Sequence, residues 1–346
     1  MIVPTGWYSG AKFGPLRRFI GSATDPESFI NLPYDIFKAW VDTTVFVITK
    51  RRRPTSWPRA DASVVRLRTF PKRHRITSVA EFEDGWTSTN FADWFKNGTD
   101  EYLTYADSAT TSVIRKIQNK GVALKELADV QRGVTPFELT SSPTHKTSRP
   151  GFTGTVRRYT FEEGPRRYIR FDDTLAEPKP ERYFKGPRLL LRELISRQFR
   201  LQAVKVSNDF VTNKSMQSIL QLPGAPELNY LLGVINSHLL SWYFLRRSNI
   251  AQRDDFPKIV LKETRSLPVP HINFSDLADK ARHDKMVSLV ERMLDLHKQL
   301  PKAKNPNDKT RLQREIDATD RQIDQLVYEL YGLTEEEIRL VEGPTE

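Results

Sequence analysis

Gly186-Pro187-Arg188-Leu189-Leu190-Leu191-Arg192-Glu193-Leu194-Ile195 places an apolar run of strand length after a glycine-proline pair, and the surrounding chain repeats that pattern. Between residues 121 and 275, similar short β-like runs fall at Val122–Val130, Val156–Phe161, Tyr168–Phe171, Gln202–Val206 and Phe210–Thr212, separated by loops. One strong helix stands among them: over Glu227–Leu245, residues Leu228, Leu231, Leu232, Ile235, Leu239, Trp242 and Tyr243 share one face. Strands and a helix in one stretch predict an α+β domain over residues 121–275.

Working outward, residues 1–50 hold a short apolar piece, a helix-like Lys12–Ile20, a second apolar piece at Phe29–Leu32 and the β-rich run Val41–Thr49. This reads as the tail of an α/β sheet, because two or three strands cannot cover both faces of a sheet alone. Residues 51–120 read as a basic connector followed by a mixed segment. Lys50–Arg75 carries ten Lys and Arg plus His74 against Asp61 alone, with three prolines and Trp57. The cluster Trp86, Phe91, Trp94 and Phe95 that follows has the character of a packing patch. Residues 276–346 predict a helical hairpin. Met286, Leu289, Val290, Met293 and Leu294 recur at helical spacing within Asp284–Gln299, and Ile316, Ile323, Leu326, Val327 and Leu330 do so within Leu312–Tyr331, across a polar turn at Pro301–Asp308.

The 346 residues include 54 Lys and Arg against 43 Asp and Glu, a net charge of +11, which favours polyanionic partners. With no cysteine, thiolate metal sites, disulfides and cysteine nucleophiles are excluded. The longest apolar stretch, Leu231–Leu245, is broken by Asn236, Ser237 and His238 and is too short to span a bilayer. The first residues lack the pattern of a signal peptide, so a soluble cytoplasmic protein without membrane attachment is expected.

Most of the charge excess is local. Lys146–Lys214 holds 16 Lys and Arg against 8 Asp and Glu, interleaved with aromatics and hydroxyls. Phosphates call for Arg, Lys and hydroxyl donors, and guanine edges for the forked donors of Arg, so this segment can serve both. The candidates for DNA contact are Arg157, Arg158, Arg166, Arg167, Arg170, Arg182, Lys185 and Arg188, with Asn249, Gln252 and Arg253 as secondary ones. The loop Thr140–Gly154, with His145, Lys146 and Arg149, has the composition of a loop that folds onto DNA. The rival reading is an interaction module whose basic surface binds RNA or an acidic protein.

No catalytic apparatus is legible. The chain has no Gly-x-Gly-x-x-Gly, no phosphate loop and no His-Glu-x-x-His, and its six histidines show no metal-ligand spacing. The pairs Asp172-Asp173 and Asp254-Asp255 read as structural. Asn31-Leu32-Pro33-Tyr34 resembles the Asn-Pro-Pro-Tyr loop with which adenine amino-methyltransferases hold a flipped base, but Leu32 departs from it. Its position just before Val41–Thr49 fits a later strand of such a domain better than the catalytic loop.

In order along the chain, these stretches resemble the C-terminal half of the TaqI-like adenine-specific DNA methyltransferases and the combined restriction-methylation enzymes related to them. Ile2–Trp7 with Leu16–Ile20 is similar to the strand and helix that follow the catalytic loop, and Leu32–Phe37 with Val41–Ile48 resembles the last strands of the methyltransferase fold. Leu124–Val134, Gly186–Glu193, Leu231–Ser237 and Leu267–Pro270 resemble the opening strand, later strand, helix and closing proline segment of the specificity domain. The resemblance implies that residues 1–50 are the remnant of a methyltransferase domain and 121–275 a target-recognition domain for double-stranded DNA. It implies S-adenosylmethionine as cofactor of the complete enzyme, with the cofactor and catalytic loops lying upstream of Met1. The chain alone is then expected to be inactive and to hold no cofactor; a second reading makes it a subunit that regains methyltransferase activity with a separately encoded catalytic partner.

Overall fold

Alternating burial along four strands shows how the first sheet is built. Phe29, Phe46, Val65 and Leu67 point from them into a shared aromatic core while Val47 and Val64 point outward, as the two-residue repeat of a strand dictates. The computed structural model describes the chain except residues 34–35, 38–40, 60, 62, 72–73, 96–99, 105, 248–257 and 344–346 and the side chain of Ala11. The chain divides into two compact units: Met1–Gln118 with Tyr243–Pro257, and Asn119–Trp242 with Lys258–Glu346. No helix among the described residues is long and apolar enough to cross a membrane.

The first unit contains β1 (Ile2–Pro4), α1 (Gly14–Ala23), β2 (Thr24–Asn31), β3 (Thr43–Lys50), β4 (Val64–Thr69), β5 (Trp86–Asn90) and α2 (Ser108–Lys120). Its five strands run in the order β1-β3-β2-β4-β5, antiparallel except for the β2–β4 pair. Trp7, Tyr8, Phe29, Phe46, Leu67, Phe91, Trp94, Phe95 and Tyr102 form its buried core. The residues expected as a connector thus supply β4 and β5 to this sheet. Two features that sequence spacing does not reveal fold them back: Trp57 packs at 4.4 Å from the Phe95 ring, and the buried Arg59 is ion-paired with Asp25 at 3.0 Å and also with Asp61. Three of the four clustered aromatics, Phe91, Trp94 and Phe95, are core, and Trp86 lies under the Arg66 guanidinium.

Asn31, the first residue of the near-motif, is buried at the end of β2. Its amide donates to Thr69 Oγ1 at 3.0 Å and to the Thr104 carbonyl at 3.1 Å and accepts from the Tyr8 hydroxyl at 3.3 Å. These bonds within the unit account for the side chain; Tyr34 lies outside the described residues.

In the second unit, β6 (Gly121–Ala123) is followed by β7 (Ala128–Arg132), β8 (Ser148–Gly151), β9 (Thr155–Arg157), β10 (Thr160–Glu162), β11 (Arg167–Arg170), β12 (Arg188–Arg192), β13 (Ala203–Val206) and β14 (Met216–Gln221). Then come α3 (Leu228–Asn236), α4 (His238–Arg247), of which the part from Tyr243 onward belongs to the first unit, α5 (Leu261–Arg265), β15 (Pro268–Pro270), α6 (Leu277–Gln299), α7 (Pro306–Tyr331) and α8 (Glu335–Glu342). An antiparallel sheet of order β13-β12-β14-β7 forms the centre, with the small ribbons β9–β10, β8–β11 and β6–β15 around it. Leu189, Leu190 and Leu191 are all fully buried, so β12 is covered on both faces. The expected helix Glu227–Leu245 is broken into two at Ser237. This residue leaves the helical backbone region (φ −63°, ψ 155°), and its hydroxyl accepts from Leu240 N as the cap of α4.

Helices α6 and α7 form the expected hairpin. Asn305 caps α7 by accepting from Asn307 N at 2.9 Å, and Gly332, at φ 67°, ends it in the left-handed conformation that glycine adopts without strain. Met286, Val290, Met293 and Leu296 of α6 are buried. A Cβ on Gly233 would lie 2.5 Å from Met286 Sδ, so the absence of a side chain there lets α3 pack closely on α6.

Candidate nucleic-acid interface

Backbone alternation divides the basic segment into inward and outward sets, and many of its aromatics point inward. Tyr159, Tyr183 and Phe184 are buried, while Arg157, Arg166, Arg170, Arg182 and Lys185 are exposed. The interleaving seen in the sequence is therefore largely the in-and-out alternation of short strands and turns.

Two of the expected contacts are structural. Arg188 is fully buried: Nη1 donates to the Gly186 carbonyl at 2.8 Å and the Asn208 carbonyl at 3.0 Å, and the guanidinium lies 4.8 Å from the Phe210 ring centre. Burial pushes this guanidinium down to about 10. It ties the start of β12 to the loop after β13 and cannot reach DNA, a correction to its expected role. Arg158 also turns inward. It pairs with Asp320 of α7, with Nη1 3.0 Å from Oδ2, and donates to the Asn236 carbonyl at 3.2 Å. This fastens the β9–β10 hairpin to α7, so Arg158 too is withdrawn from the expected set of contacts.

Among the exposed members, several already have acidic partners. Arg170 lies 2.6 Å from Asp172, Arg182 2.8 Å from Asp129, and Lys185 3.0 Å from Glu181, which Arg149 also meets at 3.1 Å. Hydrogen bonds from the Thr174 hydroxyl and from Arg170 hold the Asp172 carboxyl well below the usual carboxylate range. These bonds fit the structural reading of Asp172. Asn249, Gln252, Arg253 and the Asp254-Asp255 pair lie outside the described residues.

What remains lines two concavities of the second unit. The smaller, ≈ 320 Å³, is bordered by Arg166, Arg167, Asn208, Asp209 and Glu163 over a floor of Phe152, Phe161 and Phe210. Those three rings stack nearly parallel, with centroids 5.3–5.6 Å apart. Arg166 lies over the Tyr168 ring at 5.6 Å, and neither Arg166 nor Arg167 has a carboxylate within ion-pair distance among the described residues. The larger, ≈ 800 Å³, is lined by Arg157, Arg192, Arg197, Gln198, Gln202, His297 and Asp317. Arg157 has only a loose contact, 3.8 Å from Glu162, and Arg192 and Arg197 have no acidic partner among the described residues. Sequence reasoning missed Arg192 and Arg197. The available signal was the end of the Leu189–Leu191 run, where Arg192 is the first side chain of the strand that is not fully buried.

Against this geometry, residues 149–269 match a family model described as the TaqI-like C-terminal specificity domain. The chain carries a TaqI-like C-terminal specificity domain. The specificity domain as matched opens at β8 and closes at β15, so it takes in both concavities' arginines, while α6 and α7 lie beyond it. The chain is similar to a putative type II restriction enzyme and methyltransferase of Methanocaldococcus jannaschii, 23% identical over 352 residues. That match covers 95% of the chain but only 27% of the relative's length. In fold it resembles the type IIL restriction-modification enzyme MmeI, solved in complex with DNA, with TM-score 0.57 and 11% identity over 99% of this chain and 48% of that one.

Proposed function

We propose that the second unit reads the sequence of duplex DNA as the target-recognition part of an adenine-specific DNA methyltransferase in a restriction-modification system. The observation that carries this reading is a set of arginines without close acidic partners, Arg157, Arg166, Arg167, Arg192 and Arg197, which line two concavities of a unit containing a specificity domain. An unpaired guanidinium can give both nitrogens to a phosphate or to the O6 and N7 of guanine; one already bridged to a carboxylate must first give up that bond. The hairpins and turns bearing these side chains project from a sheet buried on both faces, a rigid scaffold for readout.

In this reading S-adenosylmethionine and the methyl transfer belong to a catalytic half that the chain joins, and the chain alone is inactive and cytoplasmic. The test is binding of the chain to mixed-sequence duplex at several salt concentrations, with folded RNA as competitor. Binding that weakens steeply with salt and survives RNA competition supports the reading. Binding abolished by RNA favours the RNA-module alternative.

A further inference from the structure

Two residues other than glycine have left-handed backbone among those described, Tyr159 at φ 61° and Phe199 at φ 57°. A side chain with a Cβ is strained there, so each conformation requires a reason. For Tyr159 the reason is packing. Its ring is 3% exposed and stacks on His297 with centroids 6.3 Å apart, and its backbone N donates to the Ala203 carbonyl at 2.9 Å.

Phe199 has no such reason. Its ring is 56% exposed, and no aromatic of the described residues packs on it. The turn that carries it is nevertheless closed and braced. Phe199 N donates to the Ser196 carbonyl at 2.9 Å, Ser196 N to the Arg200 carbonyl at 3.0 Å, and Arg200 N to Ser196 Oγ at 3.0 Å. In a three-residue hairpin loop this position is ordinarily glycine. A large apolar ring is therefore held out to solvent, on a rigid turn, in a conformation its own packing does not explain.

Its neighbours suggest the occupant. Arg197, in the same turn, lines the ≈ 800 Å³ concavity with Arg192 and Arg157. A turn that exposes a large ring and also carries Arg197, which has no acidic partner among the described residues, has the chemistry that wedges a base step open while gripping the flanking phosphates. We propose that Phe199 inserts at a base step of nucleic acid bound by the second unit, with Arg192 and Arg197 holding phosphates beside it. This rests on the duplex-binding reading above.

The experiment compares the chain with Phe199→Gly, Phe199→Asn and Arg197→Gln on a duplex that the protein selects from a randomised pool, with 2-aminopurine walked along one strand. Glycine and asparagine tolerate the left-handed backbone, so both variants are expected to fold with an unchanged or raised melting temperature. The account predicts about tenfold weaker binding for both Phe199 variants with an unchanged salt slope, and a slope about one unit shallower for Arg197→Gln. At one position, 2-aminopurine fluorescence should rise on binding the natural chain and not on binding Phe199→Gly. If Phe199→Gly binds as tightly as the natural chain with the same fluorescence, the wedge is overturned and duplex binding stands. Weaker binding without any fluorescence change on the natural chain overturns insertion as well. Failure of the natural chain to bind any duplex overturns both the wedge and the reading beneath it.

Discussion

The sheet of the first unit packs Trp7, Phe29, Phe46, Leu67 and Trp94 beneath one face, while Val47 and Val64 on the other face stand 45% and 67% exposed; the central sheet of the second unit buries β12 and β14 on both faces. A sheet covered on both faces has no surface to offer a ligand, so recognition must come from its turns and ribbons. The arginines with no acidic partner or, for Arg157, only a loose one are found there, at the ends of β9 and β12, just before and at the start of β11 and in the Ser196–Arg200 turn. Inward and outward arginines of one basic segment then differ: Arg158 and Arg188 are fasteners, while Arg157, Arg166, Arg167, Arg192 and Arg197 are the contacts of the proposed DNA-binding reading.

The largest effect should come from the doubly covered sheet. Leu190→Ala, at a fully buried position, is expected to lose about 3–5 kcal/mol in chemical denaturation, whereas Val47→Ala on the open face of the other sheet should change stability by about 0.5 kcal/mol or less. Equal losses would erase the distinction. Arg188→Met keeps volume but orphans the carbonyls of Gly186 and Asn208, and about 2–3 kcal/mol should go with it. If Arg188→Met instead keeps its stability and flattens the salt slope of DNA binding, Arg188 is a contact and not a fastener.

A pH effect of similar or smaller size comes from the buried cluster between α4 and α7. Desolvation raises the Asp324 carboxyl to about 6, so between about pH 4 and 6 the folded chain holds a proton that the unfolded chain has released. Its stabilising contribution is therefore present below this window and is lost as pH rises through it. His238 behaves oppositely. Desolvation, with Arg200 and Arg158 nearby, lowers it to about 4, so its contribution is present above about 6.5 and lost as pH falls towards 4. The two slopes oppose each other. Asp324→Asn should leave stability rising with pH across about 4–6 and His238→Gln should leave it falling, each by about 2–3 kcal/mol; identical pH profiles for both variants would refute this pairing. Smallest in stability terms are Arg166→Gln and Arg167→Gln, which should leave the melting temperature within a degree or two while each reduces the salt slope of duplex binding by about one unit.

Local periodicity made part of this legible. The α+β class and the hairpin of α6 and α7 follow from the spacing of Leu189–Leu191 and of Met286, Val290 and Met293, because burial there follows the period of the element itself. What stayed hidden depends on partners distant in sequence. Arg158 meets Asp320 across 162 positions and Arg59 meets Asp25 across 34, so no window could separate these buried cations from exposed ones. The same holds for residues 51–75, whose charge suggested a connector until Trp57 and Arg59 were seen to anchor them against the first sheet. The break at Ser237 was local but ambiguous, since the apolar face continues across it and only the hydroxyl's capping bond decides the matter.

The most direct test of the account is the dependence of duplex affinity on salt for the whole chain. Five arginines that each displace a counterion from a phosphate predict that log Kobs falls linearly with log salt with a slope of about −4 to −5. Undetectable duplex binding, or an affinity indifferent to salt, would contradict the claim that these arginines hold DNA.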